Sequence, residues 1–311
     1  MTTISELENE IRDIINTPRK RYALLQNTAA WNVLCSCLDV IGDTELSCDA
    51  FLKQHGVKDN GEKYLLVYGA LQALFIQQDA VTNLAEALNI SYTPDPLLKH
   101  IREIRNDSVG HPTKRGGGAG EAFNFIARIS LSHHSFTLMT TYPDGREHQI
   151  LGVSVPDLIN KQRTALTKAL ADVVIKLKAD EMEHRNKFKG EKLQDIFPST
   201  MGYYFEKISG ACYGSEPIDL GAGVIGIVLD SLQRFKTSIQ TRGILKAYDS
   251  VTYYLDLIEY PLTELKKYFE KSPDSNLNSK SAYIFAFFAH KHMDTLQQIA
   301  KEIDEEYASE A

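Results

Sequence analysis

The chain has 311 residues and a mass of 34.9 kDa, a length that predicts one or two domains. With 43% hydrophobic and 24% charged residues it has the composition of a soluble globular chain, which excludes collagen, low-complexity fibre and wholesale disorder. Lys and Arg number 34 against 41 Asp and Glu, a net charge of −7, so bulk charge cannot coat nucleic acid and any nucleic-acid site must be a local patch.

Residues 4–16 place Ile4, Leu7, Ile11, Ile14 and Ile15 on one stripe at the helical period. The same segment carries Glu6, Glu8, Glu10 and Asp13; it has no apolar core of the signal-peptide kind, and a cytoplasmic location is expected. A second helix is predicted from about Tyr22 to Ile41, around the single Trp31, and a short one over 47–55 ending at Gly56. Residues 62–88 read as a long, broadly apolar helix or a broken pair, suited to the centre of a bundle. Their most apolar run, Tyr64 to Ile76, is interrupted by Gly69 and Gln72 and falls far short of the roughly 20 residues that cross a bilayer. Asp95 and Pro96 mark a sharp helix start. That helix should bury Leu97, Leu98, Ile101, Ile104 and Ser108 and end at Gly110, with Pro112 barring continuation.

After a glycine-rich linker, Gly116 to Gly120, the period changes to two. Phe123 to Leu131, Phe136 to Tyr142 and Arg146 to Val153 predict a three-stranded meander over about 121–153, with Pro143-Asp144-Gly145 as a turn. Helix resumes from Ser154 to about Phe188. Further helices are predicted over 192–209, 222–240, 243–271, kinked or split at Pro261, and 280–308, with a frayed acidic end from Glu302 to Ala311. The fold expected is mainly α: a helical bundle over 1–188 carrying the β-meander, then a helical C-terminal domain over 189–311.

The stretch that carries chemistry is Arg105-Asn106-Asp107-Ser108-Val109-Gly110-His111-Pro112. An arginine near a helix end is followed by a histidine just past a glycine break, which lets the chain turn the imidazole back toward the guanidinium. Residues 99–115 hold Lys99, Arg102, Arg105, Lys114 and Arg115 against Glu103 and Asp107, a local positive excess within an acidic chain. Histidine titrates near neutrality and suits proton transfer. Arginine stays charged and presents a planar fork to phosphate oxygens.

An all-helical bundle with Arg, then a polar residue, then His after a short gap resembles the HEPN superfamily. The resemblance covers residues 1–188 in architecture, but its specific content is residues 105–112. It implies a metal-independent endoribonuclease without cofactor, acting in prokaryotic antiviral defence or as a toxin, with a defence-system or antitoxin protein as partner. Arg105 and His111 would be catalytic with Asn106 as orienter, Arg102, Lys114 and Arg115 would bind RNA, and a homodimer would bring two motifs together. The gap of four residues after Asn106 is one longer than the commonest family spacing, and Asp107 is an unexpected negative charge unless Arg102 or Lys114 pairs with it. Where some family toxins carry a tyrosine modified by a partner enzyme, two residues after the histidine, this chain has Thr113. The alternative is a catalytically inactive bundle that binds partners, with His111 merely capping the helix end.

Other signals are weaker. Gly221 to Gly226 matches GxGxxG and echoes a methyltransferase loop, but the preceding residues leave little room for the strand such a loop requires; a glycine-rich helix start is the plainer reading. A second Arg-to-His spacing, Arg128 to His133, falls on a predicted strand or the turn after it. His290 and His292 are two apart on a helix and cannot readily share a metal. The four cysteines, Cys35, Cys37, Cys48 and Cys212, have no ligand spacing and read as free thiols. The tyrosines of the C-terminal half, such as Tyr203, Tyr253 and Tyr260, could stack bases but at helical spacing read as amphipathic packing residues.

Overall fold

The computed structural model describes residues 2–114 and 121–308. Arg115, the Gly116–Gly120 linker and the last three residues lie outside the described set. The described chain is mainly helical, with ten α-helices and one small antiparallel sheet. It divides into two compact units: residues 1–15 with 27–177, and residues 16–26 with 178–311. The division therefore falls at 177/178 rather than at 188/189, and a short N-terminal segment joins the second unit.

In the first unit, α1 (Ile4–Ile15) opens with a reciprocal cap. The Thr3 hydroxyl accepts from Glu6 N at 3.2 Å, and Thr3 N donates to the Glu6 carboxylate at 2.7 Å. Next in this unit comes α3 (Thr28–Leu52), started by Asn27, whose side chain accepts from Ala30 N at 3.1 Å. The predicted helices 22–41 and 47–55 are thus divided elsewhere: the break falls at Gln26–Asn27, because Asn27 supplies a cap, and no residue between 42 and 46 stops the helix. The long apolar segment forms one unbroken helix, α4 (Asn60–Ala87), capped by Asp59, and α5 spans Pro96–Arg105.

The sheet has strand order β1-β2-β3, with β1 Phe123–Ile126, β2 Ser135–Thr141 and β3 Gln149–Ser154. The register pairs Phe125 with Met139 and Met139 with Ile150. β1 is shorter than its alternating pattern suggested, because Arg128–Ser130 forms a 3-10 turn. One face of the sheet, with Phe136, Leu138 and Val153, closes a core made with Val67, Leu71 and Leu74 of α4 and Ile101 and Ile104 of α5. The first part of α6 (Val155–Phe188) completes this core. Beside it Gln77, Gln78, Gln162 and Glu45 are buried and joined by amide hydrogen bonds of 2.7–2.8 Å.

The second unit holds α2 (Pro18–Leu25), the end of α6, α7 (Met201–Tyr213), α8 (Ile218–Thr241), α9 (Asp249–Phe269) and α10 (Ser279–Ala308). Arg19 and Lys20 tie α2 to it through ion pairs with Glu181, at 2.5 Å, and Asp180. The predicted helix 192–209 is replaced by a 3-10 turn at Gln194–Ile196 and a later start at Met201, past Pro198. α9 runs through Pro261 without splitting. Its buried stripe, Val251, Leu255, Ile258, Leu262, Leu265 and Phe269, stays in register across the proline, so core burial on both sides outweighs the lost hydrogen bond. The acidic C-terminal segment is not frayed through Ala308: Ile303 and Tyr307 are buried, and the Asp304 carboxylate accepts from Leu193 N and Gln194 N at 2.8 and 2.9 Å.

Candidate functional site

Helix α5 is set by its first turn and its inner face. Asp95 accepts from Leu97 N at 2.8 Å, Pro96 occupies the first helical position, and Leu98, Ile101 and Ile104 are buried. That packing leaves Arg102 and Arg105 against one stripe of α4. Arg102 forms an ion pair with Asp79. The Arg105 guanidinium donates through Nε and Nη2 to the single amide oxygen of Gln72, at 3.1 and 2.7 Å, and through Nη1 to the Asn106 amide oxygen at 3.0 Å. Both guanidinium carbons lie 4.1 Å from the centroid of the Phe75 ring, within cation–π range. Among the described residues Arg105 has no carboxylate partner, so its charge is fixed in place without being neutralised.

After Arg105 the helix widens into a π-helical turn, Asn106–Gly110, closed by His111 N donating to Asn106 O at 2.7 Å. Such turns interrupt the regular ladder and recur at functional sites. Gly110 is not in the left-handed region. The role expected for it, a conformational break, gives way to a steric one: a Cβ there would lie 2.7 Å from Arg105 Nη1 and 3.4 Å from the Asn106 amide oxygen. The glycine makes room for the guanidinium. His111 follows directly and is exposed, and its ring bonds to no described residue. Pro112 O then accepts from Asn124 N at 2.8 Å, tying the end of the motif to β1.

The structure brings Arg105, Asn106 and Gly110 into contact and places His111 at the open end of the same turn. Arg102 and Lys114, expected to meet RNA, are engaged with Asp79 and, at 2.6 Å, Glu121. Neither relieves Asp107, which instead accepts from the Asn124 side chain at 3.4 Å. Asn124 is itself buried and held by the Thr140 hydroxyl at 2.7 Å. The pairs of Arg102 and Lys114 are partly exposed, and such pairs are worth roughly 0–1 kcal/mol, so a phosphate can compete for either cation. Arg115 lies outside the described residues. Sequence reasoning missed Gln72 and Phe75. The available signal was the interruption of an apolar run by Gln72, with Phe75 and Asp79 following at helical spacing.

The competing signals resolve into packing. Gly221 to Gly226 lies inside α8 with no strand ahead of it, and a Cβ on Gly221 would meet Phe269 at 2.7 Å and Ala211 at 2.8 Å. The glycine therefore serves close helix contact. Arg128 sits in the 3-10 turn and His133 in the loop beyond it. His290 stacks on Phe205, with centroids 4.7 Å apart, while His292 meets Phe288 and Tyr254. All four cysteines are free; burial pushes the Cys48 thiol up to about 12 and Cys212 to about 11, which makes both unreactive. No group of three or more His, Cys, Asp or Glu side chains among the described residues is placed to hold a metal ion. No helix among the described residues is long and apolar enough to cross a membrane. Comparison of the chain with protein-family models, with curated proteins and with solved structures gives no match.

Proposed function

We propose that this chain is a metal-independent endoribonuclease of the HEPN type, with Arg105 and His111 as its catalytic pair. The observation that carries the reading is the anchoring of Arg105. Its guanidinium is immobilised by two amide oxygens and an aromatic face rather than by an acid. A structural arginine is served equally well by a carboxylate, whereas an electrophilic one must keep its charge for an incoming anion. In this reading the RNA 2′-OH attacks the adjacent phosphorus and the P–O5′ bond breaks, the departing 5′ oxygen taking a proton from solvent water. His111 takes the hydroxyl proton, a contribution of about 10²–10⁴ in rate, and Arg105 stabilises the phosphorane oxygens, about 10²–10³. The products are a 2′,3′-cyclic phosphate and a 5′-OH. Asn106 keeps Nη1 directed along the turn. A homodimer would supply two such pairs, and a role in antiviral defence or as a toxin follows from the resemblance alone.

The test is incubation of total RNA with the purified protein in EDTA. Cleavage to cyclic-phosphate ends, abolished by His111→Ala and by Arg105→Ala with unfolding temperatures retained, supports the reading; intact RNA at all protein concentrations refutes it. A second reading, a catalytically silent interaction module, is favoured by one feature. The His111 ring has no hydrogen-bond partner among the described residues to fix its orientation, and a general base needs that alignment. An inert but folded protein would select this reading.

A further inference from the structure

The stripe of α4 that holds the two arginines does not end at Gln72. Toward the helix N-terminus, at the same spacing of three or four residues, it continues through Tyr68 and Tyr64. The α4 partners fall from Asp79 to Gln72 as α5 rises from Arg102 to Arg105, so the two helices run antiparallel here. The turn Asn106–Gly110, which packs on α4, therefore continues alongside this tyrosine pair. Val109 from the turn and Tyr64 flank the same core. The two rings meet edge to face, with centroids 5.6 Å apart and planes at 61°. Tyr64 is half-buried and braces Tyr68, which is 36% exposed, with Leu65 beside it 75% exposed. The Tyr68 hydroxyl bonds to no described residue, so hydrogen bonding does not account for a tyrosine at this place.

We propose that Tyr68, braced by Tyr64, is a base-stacking shelf that restricts the neighbouring Arg105–His111 site to unpaired RNA. The proposal rests on the ribonuclease reading for the identity of the ligand. A flat, partly open ring one helical turn from the glutamine that holds a fixed cation offers the two elements by which single strands are held, a stacked base and a neutralised phosphate. In a duplex both faces of each base are already covered by neighbours, so the shelf has nothing to accept. Because every base has a π-face, the selection is for strandedness and not for sequence.

The test uses binding, so that it does not depend on cleavage. A fluorescent 2′-O-methyl RNA 12-mer, which lacks the attacking hydroxyl, is titrated as a single strand and as a duplex with the full-length wild type, Tyr68→Ala and Tyr68→Phe. The wild type should prefer the single strand. Tyr68→Ala should weaken single-strand binding about tenfold, the scale of one lost base–aromatic stack, leave duplex binding unchanged, and be rescued by Tyr68→Phe. Equal single-strand binding by wild type and Tyr68→Ala overturns the shelf, as does absence of strand preference or of any binding by the wild type. A change of mass in light scattering for Tyr68→Ala, with RNA binding unchanged, assigns the ring to a protein interface and also overturns it. Wild-type protein that binds and discriminates single strands but leaves unmodified RNA intact in EDTA sinks the nuclease reading and not the shelf. Cleavage that persists with unaltered binding in Tyr68→Ala does the reverse.

Discussion

Gly110 and Arg105 are in steric register: a methyl group on the Gly110 Cα would stand 2.7 Å from the Arg105 Nη1 atom. The backbone of Gly110 is not in a conformation reserved for glycine, so alanine is tolerated there by the main chain and excluded only by the guanidinium. Gly110→Ala should therefore leave the unfolding temperature within a degree or two, since a flexible side chain can yield, while displacing the proposed phosphate-binding group. Cleavage should fall at least about tenfold, because loss of a preorganised donor costs about 10²–10³ in rate and the displacement is partial. Rate and calorimetric unfolding measured on the same preparation check this. Unchanged cleavage would mean that Arg105 does not act where it now sits.

Gln72 offers a sharper separation of position from charge. Gln72→Glu keeps the shape and the acceptor that hold Arg105 but adds a negative charge to it. A charge-assisted bond is stronger than a neutral one, so stability should hold or rise slightly. Cleavage should drop roughly 10- to 100-fold, because the cation is then neutralised before substrate arrives. If Arg105 were merely structural, Gln72→Glu would be silent or beneficial in every assay.

The second unit is pinned by Arg242, which is 1% exposed. Its Nη2 donates to Glu191 O, Asp304 stands 3.8 Å from Nη1, and the Phe188 and Tyr307 rings lie 5.3 and 5.2 Å from its guanidinium carbon. Arg242→Ala would take away the cation facing the Asp304 carboxylate, which keeps its bonds from Leu193 N and Gln194 N, and the guanidinium donor of the Glu191 carbonyl. The expected destabilisation is about 1.5–3 kcal/mol, the scale of a lost hydrogen bond to a charged group, read from urea unfolding followed by circular dichroism.

His184 makes the stability of the second unit pH-dependent. Burial, with Arg19 nearby, lowers its pKa, and its Nε2 shares a hydrogen bond of 2.9 Å with the Tyr307 hydroxyl. A lowered histidine pKa means that the unfolded chain takes up the proton first, so the contribution is present above about pH 6.5, the ordinary histidine value. It is lost as pH falls from there toward the folded pKa. His134, in the first unit, has its pKa lowered chiefly by burial as well and gives that unit a contribution of the same sign in the same window. Asp180 and Glu181, held low by Lys20 and Arg19, lose their contribution only at lower pH, through the carboxylate range. The unfolding temperature should decline in two stages on acidification, and His184→Gln should flatten the first stage while sparing the second.

Local signals in the sequence placed much of this architecture. Asp95 and Pro96 start α5 because a cap and a fixed φ act within one turn, and the alternation around Phe136 and Leu138 gives the meander because one face of it must be buried. Signals that compete with packing misled. Pro261 does not split α9, since a buried stripe continues on both sides of it, and Gly221 belongs to a helix contact with Phe269 rather than to a loop. The boundary at Asn27 went unread because a capping asparagine is recognisable only once the helix it starts is known.

The amino-acid order alone nominated the candidates Arg105, Asn106 and His111, because they are neighbours along the chain and their chemistry is that of their side chains. Only the tertiary structure decided what Arg105 is bonded to. Gln72 and Phe75 lie 33 and 30 residues earlier in the chain. They reach the guanidinium only because the antiparallel packing of α4 and α5 buries Leu71, Leu74, Ile101 and Ile104 together. That packing energy is non-directional, so the sequence advertises that the helices will pack without stating which polar side chain will meet which charge.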